Sequence, residues 1–309
     1  MTEMTEPYSL HPEPCSFETG SSSIRCWRGW LLAGLTLFWL STSVWAEADP
    51  TVDFRPWLGR DGQPLPFASD EEVVAFLQTA QVVSMERLDA GINKPYKVLL
   101  EQNSMLVHAV FRDVKSRKPQ AKVRGSVRID YRDDAIFEVA AYELNRLLGL
   151  RIVPPAVVRQ IDGKQGSLQL WVEGAMTESK RLKEKLMPPN LLQWSQMRQI
   201  RYIFDELVHN EDRNLGNLLI DSDWRVWLID HTQCFHPYAR IYYRDRLSHI
   251  SNQLWSALKE TPPDLVRRRM ADYLTAGQID ALLGRWRLLM EHYSDQIEEL
   301  GPKRVLFSL

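Results

Sequence analysis

The sequence predicts a bilobal α+β protein, with a β-rich amino-terminal lobe holding one helix among its strands and a mainly helical carboxy-terminal lobe. Three observations predict it. Between 81 and 174, five runs rich in β-branched and aromatic residues are interrupted by one strongly periodic helix over 135–150. Around 174–190 the composition turns polar and includes Pro188 and Pro189, the best internal boundary. Beyond it, helical periods dominate as far as Leu300.

Composition sets the outer bounds. With 309 residues, 44% apolar and 25% charged, the chain is of globular type and long enough for two lobes. A net charge of −2 gives no electrostatic argument for a nucleic-acid partner. The cysteines are Cys15, Cys26 and Cys234. Two precede the folded part, which therefore has no internal disulfide, and without a C-x-x-C pair structural zinc is not expected. Cys234 reads as a buried structural thiol.

The first 46 residues read as an address. Arg25 and Arg28 flank WLLAGLTLFWL (30–40), and the small residues Val44 and Ala46 follow. This is a signal peptide cleaved after Ala46, or an uncleaved membrane anchor over 29–46. Either way the positive charges stay inside and the main domain is expected outside the cytoplasm. Residues 47–69, rich in Pro, Gly and Asp, read as a linker, 70–174 as the amino-terminal lobe and 175–309 as the carboxy-terminal lobe.

In the first lobe, Ser69 or Asp70 caps a short helix over 71–80. Strands follow at 81–88, 95–101 and 105–111. Ala90, Gly91, Ile92 and Asn93 turn the first into the second, and Gly91 would let backbone approach a nucleotide phosphate; taken alone, one glycine favours a plain hairpin turn. Arg112 ends the third strand, where a basic group reaches phosphates if a helical carboxylate holds it. Glu138, near the start of the 135–150 helix, fills that role and Glu143 competes for it. Strands over 153–161 and 167–174 complete the lobe, and backbone near Val172 would meet an adenine at the hinge.

In the second lobe, a helix over 191–209 leads into the polar run HNEDRNLGN (209–217). LLI (218–220) and WRVWLI (224–229) then form a hairpin ending on Asp230. Asp212 and Asn217 are five positions apart, and Asp230 lies thirteen beyond. Phosphoryl transfer uses this order: an aspartate facing the acceptor hydroxyl, an asparagine on Mg²⁺ or Mn²⁺, and a second metal-binding aspartate after a hairpin. Arg213 would neutralise phosphate charge or pair with a neighbouring carboxylate. The same residues would also make an ordinary polar turn. The tail holds helices over 248–258, after a Thr261 cap with Pro262 at its first position, and after a Thr275–Gln278 capping box.

Three segments resemble the atypical kinases: the secretory-pathway Golgi casein kinase type and, more distantly, phosphatidylinositol 3-/4-kinases and HipA-type kinases. HAVFRDV (108–114) is similar to the segment carrying the ATP-binding lysine, with Arg112 at its position. EVAAYELNRLLGLRIVPP (138–155) resembles the helix whose first glutamate, here Glu138, organises phosphates and metal. NEDRNLGN (210–217) is similar to the D-R-H-x-x-N and N-x-D-x-H-x-x-N loops. The resemblance implies a bilobal protein-kinase-like fold, ATP with Mg²⁺ or Mn²⁺, and an acceptor hydroxyl on a protein, glycan or lipid. The chain departs from the pattern at Arg112 for lysine, Asn214 for histidine, and Asp230, His231 and Thr232 for D-F-G. Lacking the secretory kinases' disulfides, it fits a bacterial envelope better, in the periplasm or on the outer face of the inner membrane. Two further readings stay open: a pseudokinase serving as a nucleotide-binding or scaffold module, and transfer of AMP from the same nucleotide.

Overall fold

A computed structural model describes residues 56–89, 94–123, 126–210 and 213–309. The expectations for 1–46, for Gly91 and its turn, and for Asp212 lie outside the described residues. Helix α1 (Asp70–Thr79) is capped by the Ser69 hydroxyl, which accepts from Glu72 N–H. Strands β1 (Gln81–Arg87), β2 (Tyr96–Gln102) and β3 (Met105–Arg112) pair antiparallel. A hairpin follows, β4 (Lys115–Val123) and β5 (Ser126–Asp134), and then helix α2 (Ile136–Leu147). Strands β6 (Ala156–Ile161) and β7 (Lys164–Leu170) turn on Asp162 and Gly163, both at positive φ (49° and 77°), as a two-residue hairpin requires. The main sheet has the order β1-β2-β3-β7-β6. The five expected strands are therefore one sheet.

Two differences from the sequence reading stand out here. The β4–β5 hairpin occupies a stretch where the sequence reading places no element; β5 alternates Val127, Ile129 and Tyr131 with Arg128, Asp130 and Arg132, but Val127 and Ile129 face solvent, so no buried apolar face marks it. Within the expected linker, Trp57 and Leu65 are buried beneath α1 and the sheet, and Trp57 packs on Trp227 at a ring distance of 4.5 Å. Burying an indole outweighs the turn-rich composition around it.

A two-residue strand β8 (Met176–Thr177) and short helix α3 (Glu178–Lys183) begin the second half. Helix α4 (Leu191–Val208) starts on an Asn190 cap and ends on His209 in the left-handed region (φ 55°). The hairpin β9 (Leu218–Ile220) and β10 (Val226–Leu228) joins β8 in a second sheet. After a 3₁₀ turn (Arg244–Arg246), strand β11 (Ile250–Ser251) leads into α5 (Asn252–Glu260), α6 (Pro263–Met270), α7 (Ala276–Leu300), α8 (Pro302–Val305) and β12 (Leu306–Phe307). The Thr275–Gln278 capping box is present on α7. Thr261 closes α5, whereas α6 starts one residue later than expected, at Pro263.

Helix α2 packs with the carboxy-terminal helices, not with the sheet alone. Its Phe137, Val139 and Leu144 share one core with Phe204, Phe235 and Leu282. The buried guanidinium of Arg285 on α7 donates to the carbonyls of Leu207, His236 and Tyr238, fixing the end of α4 against the chain after Asp230.

Candidate functional site

The β9–β10 hairpin returns the chain beside the loop it left. Ile229 N–H donates to the Asn217 carbonyl at 3.2 Å, and Asn217 Nδ2 donates to Asp230 Oδ2 at 3.3 Å. Thirteen residues apart in sequence, the two oxygen-bearing side chains become neighbours. Asp230 has φ 62°, a left-handed conformation that Asp tolerates better than most residues. Burial, with a smaller contribution from the Glu138 charge, pushes its carboxyl above the ordinary range, while Arg112 pulls the other way. A divalent cation would reverse that balance.

The amino-terminal lobe supplies the counterpart. Arg112 Nε lies 3.6 Å from Glu138 Oε1, and both side chains are buried. Glu138 also accepts from His231 N–H at 2.9 Å and from His231 Nδ1–H at 3.1 Å. Burial alone would raise the Glu138 pKa; the Arg112 charge and the His231 hydrogen bonds outweigh it and hold the group at about 2. Burial keeps His231 neutral, so Nδ1 donates and Nε2 accepts. Among the described residues, Arg112 Nη1 is buried with no hydrogen-bond partner, a guanidinium N–H of the kind a phosphate oxygen satisfies. Gly166 on β7 makes this placement possible, because a Cβ there would overlap the Arg112 carbonyl oxygen.

Arg213 is engaged by protein acceptors. Its Nε and Nη2 donate to Asp205 at 3.0 and 2.9 Å. Nη1 donates to the carbonyls of Asn217 (3.1 Å) and Ile229 (2.6 Å), and Nη2 also reaches His231 Nε2 at 2.9 Å. One buried fork thus holds α4, the loop and the segment after β10, so of the two expected roles the structure gives it the pairing with a carboxylate. A continuous chain results: Asp205, Arg213, His231, Glu138, Arg112. Glu143, the competitor of Glu138, accepts instead from Arg146 and Arg269 on the outer side of α2. Val172 is buried in the segment between β7 and β8, whose backbone is tied by Trp171 N–H to the His108 carbonyl at 3.1 Å.

Sequence reasoning did not identify Asp205 or Asp133. Asp205 carries no local signal, since its partner lies eight residues on. Asp133, buried at the end of β5, accepts from Tyr131 and Gln233 at 3.1 and 3.2 Å and adds negative charge near Asp230. Among the described residues no group of three or more His, Cys, Asp or Glu side chains surrounds a metal position. Asp230 and Asn217 offer two hard oxygen ligands, which fits Mg²⁺ or Mn²⁺ completed by phosphates and water.

No protein-family model matches the chain. Among curated proteins it is 24% identical over 205 residues to Protein Rv2133c of Mycobacterium tuberculosis, covering 57% of this chain and 70% of that one. Among solved structures, hydra Fam20 with sugar superposes with a TM-score of 0.57 at 15% identity, covering 77% of this chain and 92% of that chain. The Golgi casein kinase gives a TM-score of 0.55 at 14% identity over 77% of this chain and 79% of that chain. Its form with Mn/ADP bound gives 0.54. The chain has the fold of these atypical kinases.

Proposed function

We propose that this protein is an atypical kinase-like phosphotransferase that moves the γ-phosphate of ATP to a hydroxyl of a protein, glycan or lipid. The observation that carries the reading is the meeting of Asn217 and Asp230 across from the Arg112–Glu138 pair. Asp230 and Asn217 would hold the metal ion, and Arg112, through its unpartnered Nη1, a phosphate oxygen. Bound Mg²⁺ or Mn²⁺ supplies charge neutralisation on the transferring group. Asp212, between Asn210 and Arg213, would orient the acceptor hydroxyl and take its proton as the new P–O bond forms and ADP leaves. Gly91 would cover the phosphates and the backbone near Val172 would meet adenine. Glu138 and Arg213 are positioning residues.

The proposed address is outside the cytoplasm, through 29–46 as signal or anchor, and this calls for an ATP source there. Among the described residues no helix is long and apolar enough to cross a membrane.

Calorimetry of the full chain with ATP and Mn²⁺ or Mg²⁺ tests the reading, alongside transfer of label from γ- and α-labelled ATP. Metal-dependent binding with γ-label transfer, lost in Asp212→Ala, is the expected result. Absence of binding with either ion would sink the proposal. Binding without transfer, unchanged in Asp212→Ala, would make the protein a nucleotide-binding module. Transfer of the α-label would make it an AMP transferase. Asp230→Ala is expected to abolish the metal dependence of ATP binding.

A further inference from the structure

The elbow between α3 and α4 is built inside out. Arg181, the buried residue of α3, donates to both Glu178 oxygens at 2.6 and 2.8 Å and to the Leu186 carbonyl at 2.5 Å. Its guanidinium lies over the Trp194 ring at 5.2 Å. The Leu186 N–H returns to the Arg181 carbonyl at 3.0 Å, and the Asn190 side chain caps α4. Polar groups hold this elbow from within, and apolar ones face water. Leu182 is 48% exposed, Met187 67%, Leu191 61% and Leu192 70%, with Leu186 at 38%. Five large apolar side chains within eleven residues, presented on a hydrogen-bonded frame, mark an interaction surface.

Charge selects the partner. Lys180, Lys183 and Lys185 are exposed around the patch, and one exposed carboxylate, Glu184, lies among them 3.9 Å from Lys180, so the rim keeps a positive excess. Protein–protein interfaces favour aromatic residues, arginine and methionine and are depleted in lysine; of that favoured set, Met187 alone faces outward in this elbow. Here the aromatic ring and the arginine are the internal supports, while the outward residues are Leu and Met rimmed by lysine. That pattern suits a headgroup layer, with apolar side chains entering the acyl boundary and ammonium groups among anionic phosphates. We infer that the 182–192 elbow docks onto an anionic lipid surface. The contact would reach the loop of the candidate site, because Ser179 N–H donates to the Leu215 carbonyl at 3.2 Å. The inference stands apart from the phosphotransfer reading and survives its failure.

Because the apolar run at 29–46 could enter a bilayer by itself, the test must be local. Amide hydrogen exchange of the full chain is compared without vesicles, with phosphatidylcholine vesicles, and with phosphatidylcholine vesicles containing phosphatidylglycerol. Several-fold slower exchange across 184–192 is expected only with the anionic vesicles. It should disappear in Met187→Glu with Leu191→Glu, and weaken in the triple change K180E, K183E, K185E, while exchange in α7 stays as in the parent. Should the apolar variant misfold, the exposed lysine reversal decides. Unchanged exchange on anionic vesicles, or slowing that both variants retain, overturns the inference. So does slowing that appears without vesicles as protein concentration rises, since a second copy would then be the occupant.

Discussion

Removing the Glu138 carboxylate would strike three interactions at once: the Arg112 pair and the His231 N–H and Nδ1–H bonds. Glu138→Ala strands the buried Arg112 guanidinium and leaves the His231 backbone N–H without its acceptor. Breaking a buried ion pair from one side costs roughly 3–5 kcal/mol. The titration behaviour gives a second measure. Glu138 is held at about 2 against an ordinary 4.5. That difference corresponds to stabilisation on the order of 3 kcal/mol, with burial and pairing lumped together. The two routes agree in scale. Because the folded pKa is depressed, the contribution is complete above about 4.5 and fades as pH falls toward about 2. Urea unfolding of Glu138→Ala near neutral pH should therefore show a midpoint lowered by roughly 1–2 M. The parent should lose stability between those two pH values, and Glu138→Gln should lose less over the same window. Adding Arg112→Met to Glu138→Gln should recover part of the loss, as both charges are then gone. An unchanged midpoint in Glu138→Ala, or an undiminished pH response in Glu138→Gln, would refute the pairing argument.

Gly166→Ala should displace β7 from Arg112, costing roughly 1–3 kcal/mol and weakening the proposed ATP binding; calorimetry beside thermal unfolding checks both. Arg213→Lys keeps the charge but loses the fork that reaches Asp205, His231 and two carbonyls, so a stability loss of about 2–4 kcal/mol is expected in denaturant titration. Burial drives the Cys234 thiol well above its ordinary range, so maleimide should label it only in denaturant.

Much of the fold was legible because its elements carry periodic apolar faces. The helix at 136–147 and the sheet strands were readable for that reason, and the Thr275–Gln278 capping box is a local signature. The β4–β5 hairpin goes unplaced in the sequence reading although β5 alternates Val127, Ile129 and Tyr131 with Arg128, Asp130 and Arg132; Val127 and Ile129 face solvent, so the pattern serves no core. In the site, the spacing of Asn217 and Asp230 was enough to bring them together, since a hairpin between them fixes the return. Glu138 is preferred to Glu143 for its place at the start of the helix; that Arg112 at the end of β3 meets it is a long-range fact. Arg213 illustrates the limit most clearly. A basic residue in a polar loop is consistent with phosphate contact or with an internal clamp, and only Asp205, eight residues back on α4, decides for the clamp.

The placement of α2 has a consequence for how this molecule can be divided. By sequence it belongs to the first half, yet Phe137 lies 5.8 Å from Phe235 by ring centroid, and Leu228 N–H donates to the Ile152 carbonyl at 2.6 Å. A cut near 174 would expose opposite sides of a single core, so neither half should form a soluble folded fragment alone. Co-expressed, the halves should find each other, with α2 acting as the bolt between them.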